Sequence, residues 1–226
     1  MLSLNENLKK RLLTILIGAP IVIGVIYMGG IIFKIALGLA MFIALYEWFS
    51  MAKKAKRATI LNLLGVLYIV AGFASLYFIQ KEGFEWILLL LLCIWSSDSL
   101  AYVFGKSIGG PKMSPTISPN KTWSGYVGAL VATWILLILV SLVMGSDIEA
   151  SFLPVYLLFS VIIGVVGQSG DLMVSALKRH VGVKDTGALF PGHGGILDRI
   201  DALLLVAPVY LSIYLMIDSA ISSKFI

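Results

Sequence analysis

Residues 125–145 read GYVGALVATWILLILVSLVMG, an uninterrupted apolar run. A helix needs about 20 such residues to cross the hydrocarbon core of a bilayer. The run is continuous rather than alternating with a period of two, so it reads as a spanning helix and not as a strand of a membrane barrel. Runs of the same kind lie on both sides of it, at about 12–29, 31–49, 60–79, 86–104, 153–177 and 200–218. The chain is therefore expected to be all-α, a polytopic transmembrane helical bundle of about seven spans. The pair around Gly29-Gly30 leaves open a broken or re-entrant element in place of two spans. With no internal repeat and no low-complexity linker, residues 1–226 read as one integral-membrane domain. Anchoring spans are expected over about 1–85 and a polar, chemistry-bearing part over about 86–218.

Composition points the same way. Of the 226 residues, 59% are hydrophobic and 13% charged, against about 25% charged in a typical soluble domain, and the mean hydropathy is +0.99. The formal net charge of +5 comes in short basic clusters between apolar runs. That is a pattern of topology signal and anionic-headgroup contact, so membrane lipids and no nucleic acid are the expected neighbours. The lone cysteine, Cys93, lies inside an apolar run and has no intrachain partner for a disulfide. Lys9, Lys10 and Arg11 precede a run long enough to span, which reads as an uncleaved first span rather than a signal peptide. With the N-terminus on the cytoplasmic side, 14 of the 17 basic residues fall on that side, and 3 (Lys34, Lys81 and Lys224) on the other. Cytoplasmic loops carry such an excess. The same orientation puts two polar, glycine-rich segments, 105–122 and 178–199, on the cytoplasmic side.

Acidic residues inside or at the ends of spans are the next signal. A charged side chain at the centre of a bilayer costs about 3 kcal/mol or more, so such residues mark function by default. Asp98, in CIWSSDSLAYVFG, lies near the cytoplasmic end of the fourth span, and Asp171, in GQSGDLMVSALKR, near that of the sixth. On a helix Asp171, Ser175 and Lys178 share one face, and Asp198 and Asp201 project together from the start of the seventh span. Asp198 alone reads equally well as a helix cap, but four carboxylates converging on one membrane face read as a metal site, with Asp98 the weaker member. Carboxylates without histidine or cysteine clusters suit hard cations, Mg²⁺ above all, with room for a second metal ion. Lys106, Lys112, Lys121, Lys178, Arg179, Lys184 and Arg199 stand around them. Metal-binding carboxylates with lysine and arginine are the equipment for handling a polyphosphate. Glycines at 182, 187, 192, 194 and 195 would let backbone N–H groups approach phosphate closely.

The second polar segment, SPTISPNKTWSGYVG at 114–128, offers Ser118, Lys121 and Thr122 as substrate contacts. It reads equally as a turn and helix start with Ser118 or Asn120 as cap. Asn120-Lys121-Thr122 also fits the glycosylation pattern, but a cytoplasmic placement argues against its use. His193 reads as a ligand, an acid or a hydrogen-bonding hinge, and His180, in the basic run, as a solvated neighbour. The tryptophans and tyrosines belong mostly to interfacial belts and packing. KKAKR at 53–57 reads as an anchor on the lipid surface.

The stretch SALKRHVGVKDTGALFPGHGGILDRID, residues 175–201, resembles the signature of the phosphatidate cytidylyltransferases, or CDP-diacylglycerol synthases. Ser175, Lys178, Arg179, Lys184, Asp185, Gly187, Pro191, His193, Gly194, Gly195, Asp198, Arg199 and Asp201 all fit that pattern. Gly170-Asp171 and SPNKTW upstream are also similar to the family, so its features cover about the C-terminal three-fifths of the chain. Ser124 departs from it, standing where the pattern leads one to expect an acidic residue, and the N-terminal part is shorter than is usual in the family.

The resemblance implies CTP and phosphatidic acid as substrates, CDP-diacylglycerol and pyrophosphate as products, and Mg²⁺ as cofactor. It implies a bacterial inner-membrane protein whose site opens to the lipid at headgroup depth and to the cytoplasm. Lys178, Arg179, Lys184, His193 and Arg199 would then serve the transfer. Ser118, Lys121, Thr122, Ser175, Gly194 and Gly195 would contact substrate, and Asp171, Asp198, Asp201 and Asp98 would hold metal. His193 would donate to phosphate or fix its turn rather than act as a base, because a phosphomonoester is already mostly dianionic at neutral pH. The oligomeric state is open, a homodimer included. A CDP-alcohol phosphotransferase or a polyprenol kinase would use similar metal chemistry, but the Asp-Gly-x-x-Ala-Arg motif of the former is missing. A membrane carrier would place its carboxylates nearer mid-bilayer and show internal repeats.

Overall fold

Inside lipid every backbone N–H and C=O must find its partner within the chain, and a helix does this locally. The apolar runs fold accordingly. The computed structural model describes residues 6–144, 153–189 and 194–222. Among them the order is α1 (Glu6–Met28), α2 (Gly30–Ala52), α3 (Ala58–Glu82), α4 (Phe84–Ser107), β1 (Lys112–Ser114), β2 (Ser118–Thr122), α5 (Trp123–Val143), α6 (Leu153–His180) and α7 (Leu197–Ser222). The protein is an all-α polytopic bundle. Six of the helices, α2 to α7, are long and apolar enough to cross a membrane, whereas α1 carries a shorter apolar stretch, Leu16–Met28. The seven expected runs thus correspond to seven helices, with the first falling short of a full span among the described residues.

Gly29 and Gly30 separate α1 from α2 rather than forming one broken element. Both adopt positive φ, 57° and 53°, which side chains with a Cβ avoid. A Cβ on Gly29 would also stand 2.7 Å from the Gln80 amide nitrogen on α3.

The helices pack in a chain of neighbours, α2 on α3, α3 on α7, α7 on α6, α6 on α5 and α5 on α4. The core between them is built from Ile69, Leu90, Val174, Leu204 and Val206, all essentially inaccessible. Lipid tails are as apolar as leucine, so association inside a membrane depends on close backbone approach across small residues. Gly125 and Gly128 of α5 provide this against α4. A Cβ on Gly125 would lie 2.7 Å from the Ala101 carbonyl oxygen, and one on Gly128 would lie 2.7 Å from Phe104 Cβ. Outward-facing Ile31, Phe42, Leu63, Leu67 and Val143 are exposed, as residues facing hydrocarbon should be.

One departure from the expected loop is a small antiparallel hairpin, with Lys112 opposite Thr122 and Ser114 opposite Ser118. Its base closes where Trp123 N–H donates to the Pro111 carbonyl at 3.1 Å. Ser118 and Asn120 lie further back in β2, short of the residue next to Trp123, so neither caps α5. Thr122 does, accepting from Gly125 N–H at 3.1 Å. Ser124 donates to the Gly109 carbonyl, a bond that an ionised acidic residue at this position could not make. The hairpin lies at the end of the bundle where α4 and α6 finish and α5 and α7 begin, as do residues 181–189 and 194–196.

Replacing Gly128 by Ile should therefore part α4 from α5 and lower stability by about 1–3 kcal/mol or more. Gly38→Ala, where a Cβ meets nothing within 4 Å, is the control. Thermal unfolding in detergent checks the pair, and equal midpoints would show that the α4–α5 contact does not depend on the glycine.

Candidate functional site

The polar end of the bundle is organised by two lysine–carboxylate pairs. Lys178, in the last turn of α6, donates to Asp198 Oδ1 in the first turn of α7 at 2.6 Å. The two side chains are only 12% and 5% exposed. The other oxygen, Asp198 Oδ2, accepts from Thr186 N–H at 2.8 Å, Thr186 Oγ1 at 2.9 Å and Gly195 N–H at 3.0 Å. Lys121, at the end of the hairpin, pairs with Asp171 Oδ2 at 2.6 Å and donates to Gln168 Oε1 at 2.7 Å. Ser175 Oγ donates to Asp171 Oδ1 at 3.1 Å, one helical turn further along α6. Asp201 is buried, its Oδ1 accepting from Ala202 N–H at 2.8 Å, while its main-chain carbonyl takes the Tyr68 hydroxyl at 2.6 Å.

Two polar cavities meet among these groups. The larger, about 480 Å³, is lined by Lys106, Lys112, Asn120, Lys121, Thr122, Gln168 and the two tyrosines Tyr102 and Tyr126. The smaller, about 310 Å³, is lined by Lys178, Asp185, Asp198, Arg199 and Asp201. Asp98 and Asp171 line both. The four expected carboxylates, with Lys121, Thr122, Lys178 and Arg199, are thus brought together at one end of the bundle. Ser175 joins them through Asp171.

Other expected residues lie differently. Arg179 is exposed and donates from Nε to the Ile117 carbonyl at 3.2 Å, tying α6 to the hairpin. Ser118, also in the hairpin, and the exposed Lys184 line neither cavity. His193 lies outside the described residues, as do Pro191 and Gly192.

The donor set around the smaller cavity is entirely hard oxygen, the chemistry that suits Mg²⁺. Asp98, Asp171 and Asp201 can present oxygens to it. Asp198, expected as a fourth ligand, has both oxygens engaged by donors of the protein itself. Among the described residues no three acidic or histidine side chains close around a single ion position. Two of the carboxylates face ammonium groups instead, Lys121 on Asp171 and Lys178 on Asp198.

A model of the cytidylyltransferase family matches residues 53–217. The chain belongs to that family. The phosphatidate cytidylyltransferase of Staphylococcus saprophyticus is 42% identical over 147 residues, 65% of this chain and 55% of that one. The enzyme of the same name from Staphylococcus haemolyticus is 41% identical over 147 residues, with the same two shares. That from Rickettsia felis is 35% identical over 213 residues, 91% of each chain. The matched stretch spans 55% of the length of the staphylococcal relatives.

Several further residues of the chain stand in or beside the site; from sequence Asn120 reads as a cap and Asp185 only as part of the resemblance, and Gln168, Thr186 and Glu47 are not singled out. Gln168 and Asn120 line the larger cavity and Asp185 the smaller. Thr186, 6% exposed, touches both Asp198 and Glu47. Glu47, on α2 and 4% exposed, accepts from Ile196 N–H and Leu197 N–H, both at 3.0 Å. An acidic residue within the apolar run LYEWFS was itself the signal.

The expected phosphate-accepting turn at Gly194-Gly195 serves a carboxylate in the structure. Gly194 takes φ +79°, a left-handed conformation for which glycine is suited. Gly195 N–H is turned to Asp198, and a Cβ on Gly195 would collide with Glu47 and Thr186.

The two ion pairs should respond differently to loss of charge. Asp198→Asn leaves a nearly buried Lys178 unpaired and should lower stability by about 3 kcal/mol. Asp171, whose side chain is 36% exposed, sits in a screened pair, and Asp171→Asn should cost under about 1 kcal/mol. Thermal midpoints of the two purified variants check this. A smaller loss for Asp198→Asn than for Asp171→Asn would mean that Asp198 is not the structural member of the set.

Proposed function

We propose that this member of the cytidylyltransferase family makes CDP-diacylglycerol and pyrophosphate from CTP and phosphatidate, at a site facing the cytoplasm of a bacterial inner membrane. The observation that carries the reading is the pair of polar cavities sharing Asp98 and Asp171 as a common wall. A reaction between two phosphate-bearing substrates needs two anion sites that meet, and cations on both sides of the meeting point. Lys106, Lys112 and Lys121 supply them on one side, Lys178 and Arg199 on the other. The family match and the names of the relatives support the same reaction. The excess of basic residues at this end supports the cytoplasmic orientation.

In this reading a phosphate oxygen of phosphatidate attacks the α-phosphorus of CTP. The bond from that phosphorus to the bridging oxygen breaks, and pyrophosphate leaves with the electron pair. No side chain need act as nucleophile, and no base need take a proton, since a phosphomonoester has a second pKa of about 6. The work of the protein is to hold two anions in line against their repulsion. Lys121 and Lys178, paired with carboxylates at rest, are placed to turn to incoming phosphate oxygens. Arg199, exposed toward the smaller cavity, offers a planar fork that matches a phosphate. Tyr102, 67% exposed, gives the larger cavity an apolar edge on which a lipid can lie.

Mg²⁺ would be held by Asp171 and Asp201, with Asp98 beside them, and would supply positive charge to offset what develops on the phosphates. Asp198 is left to hold Lys178, Thr186 and Gly195 in place.

Incubation of the purified protein with CTP labelled in its α-phosphate, phosphatidate and Mg²⁺ should move label into the organic phase. Label that stays in the aqueous phase with every phosphatidate offered would sink the reading. Asp171→Asn and Asp201→Asn should nearly abolish the transfer in folded protein. Lys178→Ala and Arg199→Ala should each lose more than about tenfold, since a charge-assisted contact contributes roughly 1.5–3 kcal/mol. Lys54→Ala, on the exposed basic turn after α2, should leave the rate unchanged.

A further inference from the structure

The start of α7 bears Asp198, Arg199 and Asp201 into the smaller cavity, so whatever fixes that helix end fixes the site. The first N–H groups of a helix have no partner within it, and the residue before α7 is Ile196, whose side chain accepts nothing. Asp198 faces backward to Thr186 and Gly195, leaving the amides of Ile196 and Leu197. Glu47 takes both. Its Oε1 accepts from Ile196 N–H at 3.0 Å and its Oε2 from Leu197 N–H at 3.0 Å, across 149 and 150 residues of chain. Thr186 Oγ1 stands 2.9 Å from Glu47 Oε2 and 2.9 Å from Asp198 Oδ2, so one hydroxyl proton lies between two carboxylates.

The space for this arrangement is provided by glycines. A Cβ on Gly187 would stand 2.5 Å from Glu47 Oε1, and one on Gly195 would overlap the same carboxylate. The carboxylate is the far end of a flexible side chain, but three donors pin it. No lysine or arginine pairs with Glu47 among the described residues. The positive end of the helix dipole is what its charge faces. Glu47 also lies before residue 53, where the family match begins.

We propose that Glu47 is a positioning residue for the transfer site, an N-terminal cap for α7 supplied by α2, which sets where Arg199 and Asp201 stand. The kinetic arm of its test rests on the cytidylyl-transfer reading; the structural arm does not. Gln in place of Glu47 keeps the size but turns one acceptor into a donor, so at least one of the two amides loses its partner. In Glu47→Gln, amide hydrogen exchange should quicken by about tenfold or more at Ile196 and Leu197 while Leu204, deeper in the helix, is unchanged. On the same protein kcat should fall about 100-fold, the scale of an ångström-sized misplacement, with KM for CTP and phosphatidate held within about threefold. Gly187→Ala, which displaces the carboxylate without removing it, should reproduce both effects. Combined with Glu47→Ala it should do no more harm than either change alone.

Exchange at Ile196 and Leu197 equal to that of the unaltered protein would overturn the proposal. So would exchange quickened evenly along α7, or losses for Gly187→Ala and Glu47→Ala that multiply. A raised KM with kcat intact would also overturn it, because the residue would then serve binding and not placement. If the unaltered protein transfers no cytidylyl group, the functional reading fails, and the exchange comparison still decides whether α2 caps α7.

Discussion

The start of α7 lies buried with no capping side chain before it and borrows one from α2, and much of the polar end of this protein follows from that. Two carboxylates converge on the start of α7, Glu47 from α2 and Asp198 from the first turn of the helix itself. Between them stands Thr186, and beyond Asp198 stands Lys178, which closes the end of α6 onto the start of α7. Removing water from so many charged groups is costly. The arrangement is tolerable because each oxygen meets a donor and the helix end presents positive charge to both.

From this anchorage the rest of the site divides into groups that hold and groups that are free to act. Asp198 holds. Asp171, at the boundary of the two cavities and paired with a lysine of the hairpin, is accessible enough to change partners. Arg199 and Asp98 are open to the cavities they line. The charged residues of this end therefore answer to two kinds of constraint. Asp198 is held by what it does for the backbone, while Asp171, Asp98 and Arg199 keep access to the cavities.

The architecture was largely legible in the sequence, because lipid leaves the backbone little choice. Apolar runs of sufficient length become helices, and the predicted runs meet α2 to α7 within a few residues at most ends. The convergence of Asp98, Asp171, Asp198 and Asp201 was legible too, since topology alone puts those helix ends together. The hairpin was not. Its strands are short, with Pro119 inside one and Pro115 in the turn between them, and show no alternating pattern, so they read as a turn, and Thr122 rather than Ser118 emerged as the cap. Nor was the division of labour among the aspartates, because Asp198 and Asp171 differ in their surroundings and not in their local sequence. Glu47 was visible as an acid in an apolar run, but its partners lie some 150 residues on, and no local pattern connects them.

That separation has a consequence for how the protein is made. A chain synthesised from its N-terminus inserts α2 while α7 does not yet exist, so the carboxylate of Glu47 enters the bilayer with none of its three donors. α3 to α6 are all made before Thr186, Ile196 and Leu197 arrive. The position of Glu47, five residues before α2 ends at Ala52, makes the wait tolerable. At 1.5 Å per residue it lies within about 8 Å of the helix end, close enough for the side chain to reach toward the headgroups and water. α7, once made, then draws that carboxylate inward, so burial of the charge and completion of the cavity are one event.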